Sequence, residues 1–579
     1  MLHASCWPRS GFGRILLTSF LVVLFMVLSR HYLPSVHESA DKLVSQYAPG
    51  IHPHQQPQDE VPEIHPDEVV ATSEESVPAH TQSVETPAAT YSSKQSMRGC
   101  PVVPPAEDYL VSMKTGATEL FAKLPEQLLT TLRCIPNYMI FSDIEQDVGD
   151  YHVYGALEDV SDKYKYSHPD FEYYRRLLDL AAKGQDLSLL ANMNLAEKEK
   201  HEAWNLDKWK FVPIAHRVYV KHPKVKWYIF LEADSYMAWP NVLELLAQYD
   251  SDHPWYLGAV HFYGDVAYAQ GGMGYFVSNG AMRLLDKIYD HKHIAHWERE
   301  TAENPFGDAQ IAATLRDAGC NLTGAPGLYG DPPTWFEFHA DWWCEPAVSW
   351  HHMHASDVEA LSQVETRLSA SGESSYVYRD LFTHLVEPHL APIRYDWDNL
   401  SRDRICTGPE GVHGDEGRDY KEELRWEELE EQEREDIWKD LDEERKEMIE
   451  VKGIYVRHRR WDELSDVARE LAFEELTSAE KEAHLSVKQC LAACEEWDEC
   501  KQYFYMTGRC HLQRAVRLGH YMESRHTTAD EDLDGGVSNR TVSGWMMDRI
   551  RDMTDRAESC KPVSAWMKHF YDDQQSHAD

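Results

Sequence analysis

The stretch Lys226-Trp-Tyr-Ile-Phe-Leu-Glu-Ala-Asp-Ser-Tyr236 decides how this chain folds. Its apolar, aromatic-rich run from Trp227 to Leu231 has the length of a strand and ends in two carboxylates, Glu232 and Asp234. An apolar run without alternation reads as a strand buried on both faces, as in a parallel sheet. Ligands of open α/β sheets collect at the carboxyl ends of the strands. Carboxylates placed there suit a hard divalent cation that also holds a phosphate, because oxygen ligands favour magnesium, calcium or manganese. The spacing alone equally allows a turn in which Asp234 bonds nearby amides.

Working outward, the pattern predicts a first strand over 137–141, followed by Ser142 and Asp143, and helices over 171–182 and 196–219. A helix over 240–249 begins with proline, which suits a first turn. Short strands over 255–258 and 275–277 and a helix over 281–289 complete a βαβ rhythm, which implies an α/β fold with a mixed, mostly parallel sheet covered by helices. Asp308 follows Asn304-Pro-Phe-Gly307 and opens a helical pattern ending at Gly319, where it reads as an N-cap. Asp143 and the Lys208-Trp-Lys210 segment are candidate contacts for the phosphate-bearing ligand of such a site. Both also have plain readings, as a strand-end aspartate and exposed helical lysines.

Five ordered blocks surround these residues: Trp204-Asn-Leu-Asp-Lys-Trp-Lys-Phe211, Trp255-Tyr-Leu-Gly258, Gln270-Gly-Gly-Met-Gly-Tyr-Phe-Val-Ser278, Phe306-Gly-Asp-Ala309 and Val348-Ser-Trp-His-His352. Over roughly 100–399 the chain resembles the Fringe-like and core 1 galactosyltransferase branch of glycosyltransferase family 31, in the variant typical of filamentous fungi. The resemblance implies a GT-A type nucleotide-sugar fold. It also implies that Asp234 and His351 hold manganese and thereby the diphosphate of a UDP-sugar, with His352 and His354 as lesser candidates. Glu232 replaces the first Asp of the family's Asp-x-Asp, a position that reaches the ribose or a metal-bound water. Gly271, Gly272 and Gly274 match the block lining the sugar side of the cleft, where glycine permits close backbone approach. Asp308 matches the general base, which an attacking hydroxyl needs because it is a poor nucleophile at neutral pH. A zinc site from Cys344, His351, His352 and His354 matches no standard structural-zinc spacing.

The chain has 579 residues and a formal net charge of -41, room for several domains and no suitable surface for nucleic acid. Ile15 to Leu28 is an uncharged apolar run between Arg14 and Arg30. It reads as a membrane anchor over 12–30 behind a cytosolic tail of 1–11, with a cleaved signal peptide as the rival. Residues 31–99, rich in Pro, His, Ser, Thr and Glu, lack apolar periodicity and read as a disordered stem. Tail, anchor, stem and globular body form the layout of a single-pass type II Golgi membrane protein with a lumenal body. Cys6 lies in the tail, leaving ten of the 11 cysteines for disulfides in an oxidising lumen. The sequons at Asn321, Asn399 and Asn539 are usable only there.

After the catalytic region of 100–400, residues 401–480 are acidic, with a thin apolar line that reads as a solvated helix or an insertion. Within 481–565, Cys490, Cys494, Cys500 and Cys510 allow three connectivities. Their pattern resembles a PAN or apple module, which implies Cys490–Cys510 and Cys494–Cys500. Cys406–Cys560, Cys100–Cys134 and Cys320–Cys344 are then the expected remaining pairs, and 566–579 a C-terminal tail. The expected activity is inverting, metal-dependent transfer of a hexose or N-acetylhexosamine, galactose first among them. The donor is a UDP-sugar, the acceptor a glycan or glycoprotein hydroxyl, and the family's habit a β1,3 linkage. A silent glycan-binding protein is the alternative, kept open by Glu232.

Overall fold

Side chains of the strand Trp227–Glu232 divide between two cores. Tyr228 and Phe230 point into one, Trp227, Ile229 and Leu231 into the other, and Trp227–Leu231 is buried throughout. The computed structural model describes Cys100 and most of residues 103–576. Its gaps fall at 189, 191–196, 290–292, 373–374, 408–419, parts of 430–475, 523–539 and 557–559. The anchor over 12–30 and the stem over 31–99 lie outside the described residues, among which no helix is long and apolar enough to cross a membrane.

The strands of the main sheet are β1 (Tyr109–Lys114), β2 (Tyr138–Ser142), β3 (Gln146–Val148), β4 (Tyr151–Gly155) and β5 (Trp227–Glu232). Beyond the two-residue β6 (Tyr236–Met237) come β7 (Tyr256–Gly258), a separate hairpin of β8 (Val260–Tyr263) and β9 (Val266–Ala269), β10 (Tyr275–Ser278) and β11 (Leu322–Gly324). Eight of these pair in the order β11-β7-β10-β5-β1-β2-β4-β3. The centre, β5-β1-β2-β4, is parallel, and β10 runs antiparallel between β5 and β7. The mixed, mostly parallel α/β sheet is therefore as expected, but β1 precedes the strand read as the first. Its apolar run, Leu-Val-Ser-Met, is too short and too interrupted to stand out.

Helices cover both faces. One carries α1 (Leu120–Leu129), and the segment read as a single helix over 196–219 is two, α2 (Glu197–Asp207) and α3 (Phe211–Lys221). Pro213 lies in the first turn of α3; its ring would clash with the carbonyl four residues back if the helix ran on. Further along are α4 (Trp239–Leu246), α5 (Asn279–Ile288) and α6 (Gly307–Asp317). Phe211, Val218, Met282, Leu285 and Ile311 from α3, α5 and α6 bury one face of the sheet. Leu120, Leu124, Val242 and Leu245 from α1 and α4 bury the other.

A smaller lobe holds a five-stranded sheet whose strands include Gln502–Met506, Arg509–Gln513 and Val542–Trp545. Arg394–Tyr395 and Arg404–Thr407 supply its two edges, so this lobe begins before residue 400, earlier than the sequence boundary. Within 401–480, Tyr420–Arg425 pairs antiparallel with Ile454–Arg459, a long-range pairing that local composition does not encode. The lobes share a core in which Trp350 and Phe338 meet Val516 and Trp545. Asn399 is 0% exposed and donates to the Tyr503 carbonyl, which makes its sequon unusable in the folded chain.

Cys100–Cys134, Cys490–Cys510 and Cys494–Cys500 form as expected, whereas Cys344 pairs with Cys560. The expected Cys406–Cys560 and Cys320–Cys344 bridges are absent, and the zinc reading at Cys344 falls with them. Residues 563–576 are not a tail but a helix that docks Val563 and Met567 beside Val242 and Leu245, bringing Cys560 to Cys344. Cys320 is buried in the opposite core, and Cys406 stands opposite Cys510, whose sulfur is committed to Cys490. Non-reducing peptide mapping should recover Cys344 linked to Cys560. Cys560→Ser should cost about 2–4 kcal/mol in thermal or denaturant unfolding.

Candidate active site

Asp234 lies in the short turn between β5 and β6, closed by the Ser235 amide donating to the Glu232 carbonyl. Immediately after the turn, β6 pairs antiparallel with Ser349–Trp350, in the register Tyr236↔Trp350. That pairing places the residue after Trp350, His351, beside the residues before Tyr236. The Met353 amide donates to the Asp234 carbonyl, and His351 Nε2 lies 3.5 Å from Asp234 Oδ1 and 3.9 Å from Glu232 Oε2. Donor atoms of Asp234, His351 and His352 lie within 4.8 Å of one another. His352 takes a left-handed backbone (φ 55°) that stacks its ring on His351, with centroids 3.9 Å apart. The sequence ranked His352 below His351; the backbone turn that brings it in leaves no local signature.

The glycine turn closes the other side. Gly271–Met273 is one tight turn, held by the Ser235 hydroxyl donating to the Gly272 carbonyl at 2.6 Å. A Cβ on Gly272 would lie 2.0 Å from His351 Cε1, so only glycine lets the ring sit there. Gly274, at φ +79°, returns the chain into β10. One residue before Gly272, the Gly271 amide donates to Asp308 Oδ2 at 3.3 Å. Adjacent glycines thus touch Asp308 and His351, and consecutive Cα atoms are ~3.8 Å apart.

Asp308 is the second residue of α6, not its N-cap; Phe306 holds that place. Gly307 is forced by Phe211, whose ring a Cβ would meet at 2.3 Å. Burial pushes the Asp308 carboxyl up to about 6, against the pull of the Gly271 and Ala309 amides. Burial acts on Asp234 in the same sense, but His351 and the Lys123 ammonium, 3.1 Å away, reverse it and hold this carboxyl far below its ordinary value. Two carboxylates a short distance apart are thus tuned in opposite directions, the arrangement that separates a base from an anchored anion. Burial and the neighbouring His351 ring hold His352 below its ordinary value, leaving it a neutral donor.

Lysines and acids stitch the strand ends together. Lys114, at the end of β1, pairs with Asp207 and with Glu232 at 3.1 Å. Lys210 pairs with Asp143 at 2.6 Å and Asp207 at 3.1 Å. Asp143 and Lys210 are each 4% exposed, so they form the cleft wall and hold one another. Lys114, Lys123 and Asp207 went unnoticed in the sequence, since nothing local marks which lysine reaches a strand end. Around the cleft three ammonium groups (Lys114, Lys123 and Lys210) face six carboxylates (Glu119, Asp143, Asp207, Glu232, Asp234 and Asp308), leaving three negative charges unmatched. His351 turns Nε2 toward Asp234 and Glu232, where a shared cation would meet the ring nitrogen and the carboxylate oxygens together. These donors fit a divalent metal such as Mn²⁺.

No family model matches this chain, and no curated protein matches it.

Two variants test this geometry. Gly272→Ala should displace the His351 ring, cost about 1–3 kcal/mol in thermal unfolding and weaken Mn²⁺ binding by the folded protein by about tenfold or more, read by titration calorimetry. For Asp308, the folded carboxyl holds its proton more tightly than the unfolded one, so the stability it contributes is complete below pH about 3.8 and lost as pH rises through about 6. Asp308→Asn should therefore stabilise the protein at pH 8, on the order of 1–2 kcal/mol, with the gain vanishing in acid.

Proposed function

We propose that this chain is an inverting, metal-dependent glycosyltransferase of GT-A type, which moves a hexose or N-acetylhexosamine from a UDP-sugar to a glycan or glycoprotein hydroxyl. The observation that carries the reading is the pair of adjacent glycines joining an aspartate held near neutrality to a histidine–aspartate donor set. The resemblance to glycosyltransferase family 31 points the same way, and the four disulfides suit the oxidising lumen of a Golgi type II protein.

In this reading Asp234 and His351, with His352 in reach, hold Mn²⁺, which when bound supplies positive charge to a leaving diphosphate. The half-buried Lys114–Glu232 pair fixes the direction of the strand end, and Gly271 and Gly272 let the donor sugar approach the backbone. Asp308 accepts the proton of the acceptor hydroxyl as its oxygen bonds to the anomeric carbon and the bond to the UDP oxygen breaks. Attack opposite the departing UDP inverts the anomeric centre and gives a β-linkage from an α-linked donor. A base must be unprotonated to act, so activity should climb as pH rises through about 6.

A panel of UDP-sugars, assayed for UDP release with Mn²⁺ and acceptor glycans, should reveal one preferred donor. Asp234→Ala should lower that rate by about a hundredfold or more while the protein stays folded. An undiminished rate in the variant would refute the metal assignment.

A further inference from the structure

Trp204, Tyr263 and Phe306 come from three separate elements: the last turn of α2, the tip of the β8–β9 hairpin and the segment leading into α6. Their rings nevertheless meet. Phe306 sits in the middle, with its centroid 5.4 Å from Trp204 and 5.1 Å from Tyr263, edge-to-face in both cases. Yet Trp204 remains 49% and Tyr263 42% exposed. Rings gathered from distant parts of a chain ordinarily end inside a core, and a cluster left in water marks a binding surface.

The position of the cluster says what it meets. Phe306 precedes Asp308 by two residues, at most ~7 Å of chain. One turn after Trp204, Asp207 is clamped by Lys114 and Lys210, which fixes the end of α2 against the cleft. The hairpin bearing Tyr263 turns tightly at Gly264, φ +59°, and its second strand packs along α6, the helix that carries Asp308. The three rings therefore form one edge of the cleft on the Asp308 side. They carry no charge, so they suit an apolar face more than a phosphate. An acceptor whose hydroxyl reaches Asp308 must lay a sugar ring close by.

We infer that Trp204, Phe306 and Tyr263 form a stacking platform for a galactose-type pyranose of the acceptor glycan. The inference rests on the transferase reading and names its acceptor class. A galacto-configured ring has its axial O4 on one side, which leaves the C3, C4 and C5 hydrogens as a continuous apolar patch on the other. That patch matches the electron-rich face of an aromatic ring. The hydroxyls around the rim stay free to reach Asp308 and water.

The test uses the folded lumenal protein and two readouts. Saturation-transfer NMR with methyl β-D-galactopyranoside should show transfer to the C3–C5 hydrogens in the wild type, and Trp204→Ala and Tyr263→Ala should abolish it. In turnover with galactose-terminated acceptors, the same variants should raise acceptor KM by about tenfold or more, well beyond any change in donor KM. Trp204→Phe should restore much of the effect, and Tyr521→Ala, an exposed ring on the smaller lobe, should behave as wild type. Thermal unfolding checks that the variants fold. Sugar binding and acceptor KM unaltered by both alanine variants would overturn the platform, as would a rise confined to donor KM, which would make the rings a base-stacking site. Absence of saturation transfer to the wild type would overturn it too. If the wild type turns over no UDP-sugar yet binds the galactoside through Trp204, the platform stands and the transferase reading falls.

Discussion

Lys114, Asp143 and Glu232 stand at or just past the carboxyl ends of β1, β2 and β5, three neighbouring parallel strands of the mixed sheet. Asp207 and Lys210, between α2 and α3, join them into a continuous row of ion pairs, nearly sealed from solvent at Asp143 and Lys210. Taking charges out of water is expensive, and removing one member of such a row typically costs about 3–5 kcal/mol because its partner stays buried alone. Burial alone would push Asp207 up, but Lys114 and Lys210 hold it down at about 2. The row thereby fixes the turn between α2 and α3, the tips of three strands and the floor of the cleft together.

On that floor the candidate site groups are set by backbone constraints more than by side-chain choice. Antiparallel pairing of β6 with Ser349–Trp350 delivers His351 to Asp234 across more than a hundred residues of chain. Tyr236 in the same short strand donates at 2.6 Å to Glu365, a carboxyl that burial pushes up to about 7, so the strand bearing the turn is anchored from behind. Glycine at 272 and 307 allows two close approaches that any larger residue would block. The surplus of negative charge left over is what a dication would neutralise, while Asp308 is occupied with the Gly271 and Ala309 amides.

Much of this was legible from local pattern. The apolar run ending in Glu-Ala-Asp placed a buried strand with acids at its tip, and Gly271 to Gly274 marked a tight loop. Spacing left the pairing of Cys490, Cys494, Cys500 and Cys510 open, and Cys494–Cys500 was implied only by the resemblance to a PAN or apple module. What escaped depends on pairing between distant segments: β1 with its broken apolar run, the lysines that reach the strand ends, and the hairpin within the acidic region. Cys344–Cys560, 216 residues apart, required knowing that the last helix folds back onto α4. A left-handed backbone at His352 likewise has no local signal.

Titration calorimetry of UDP into the purified protein, with and without Mn²⁺, bears most directly on the central claim that a dication joins the acidic strand tip to a diphosphate. The account predicts mutual reinforcement: Mn²⁺ tightens UDP binding and UDP tightens Mn²⁺ binding by the same factor. UDP affinity that is identical in Mn²⁺ and in chelator would contradict it.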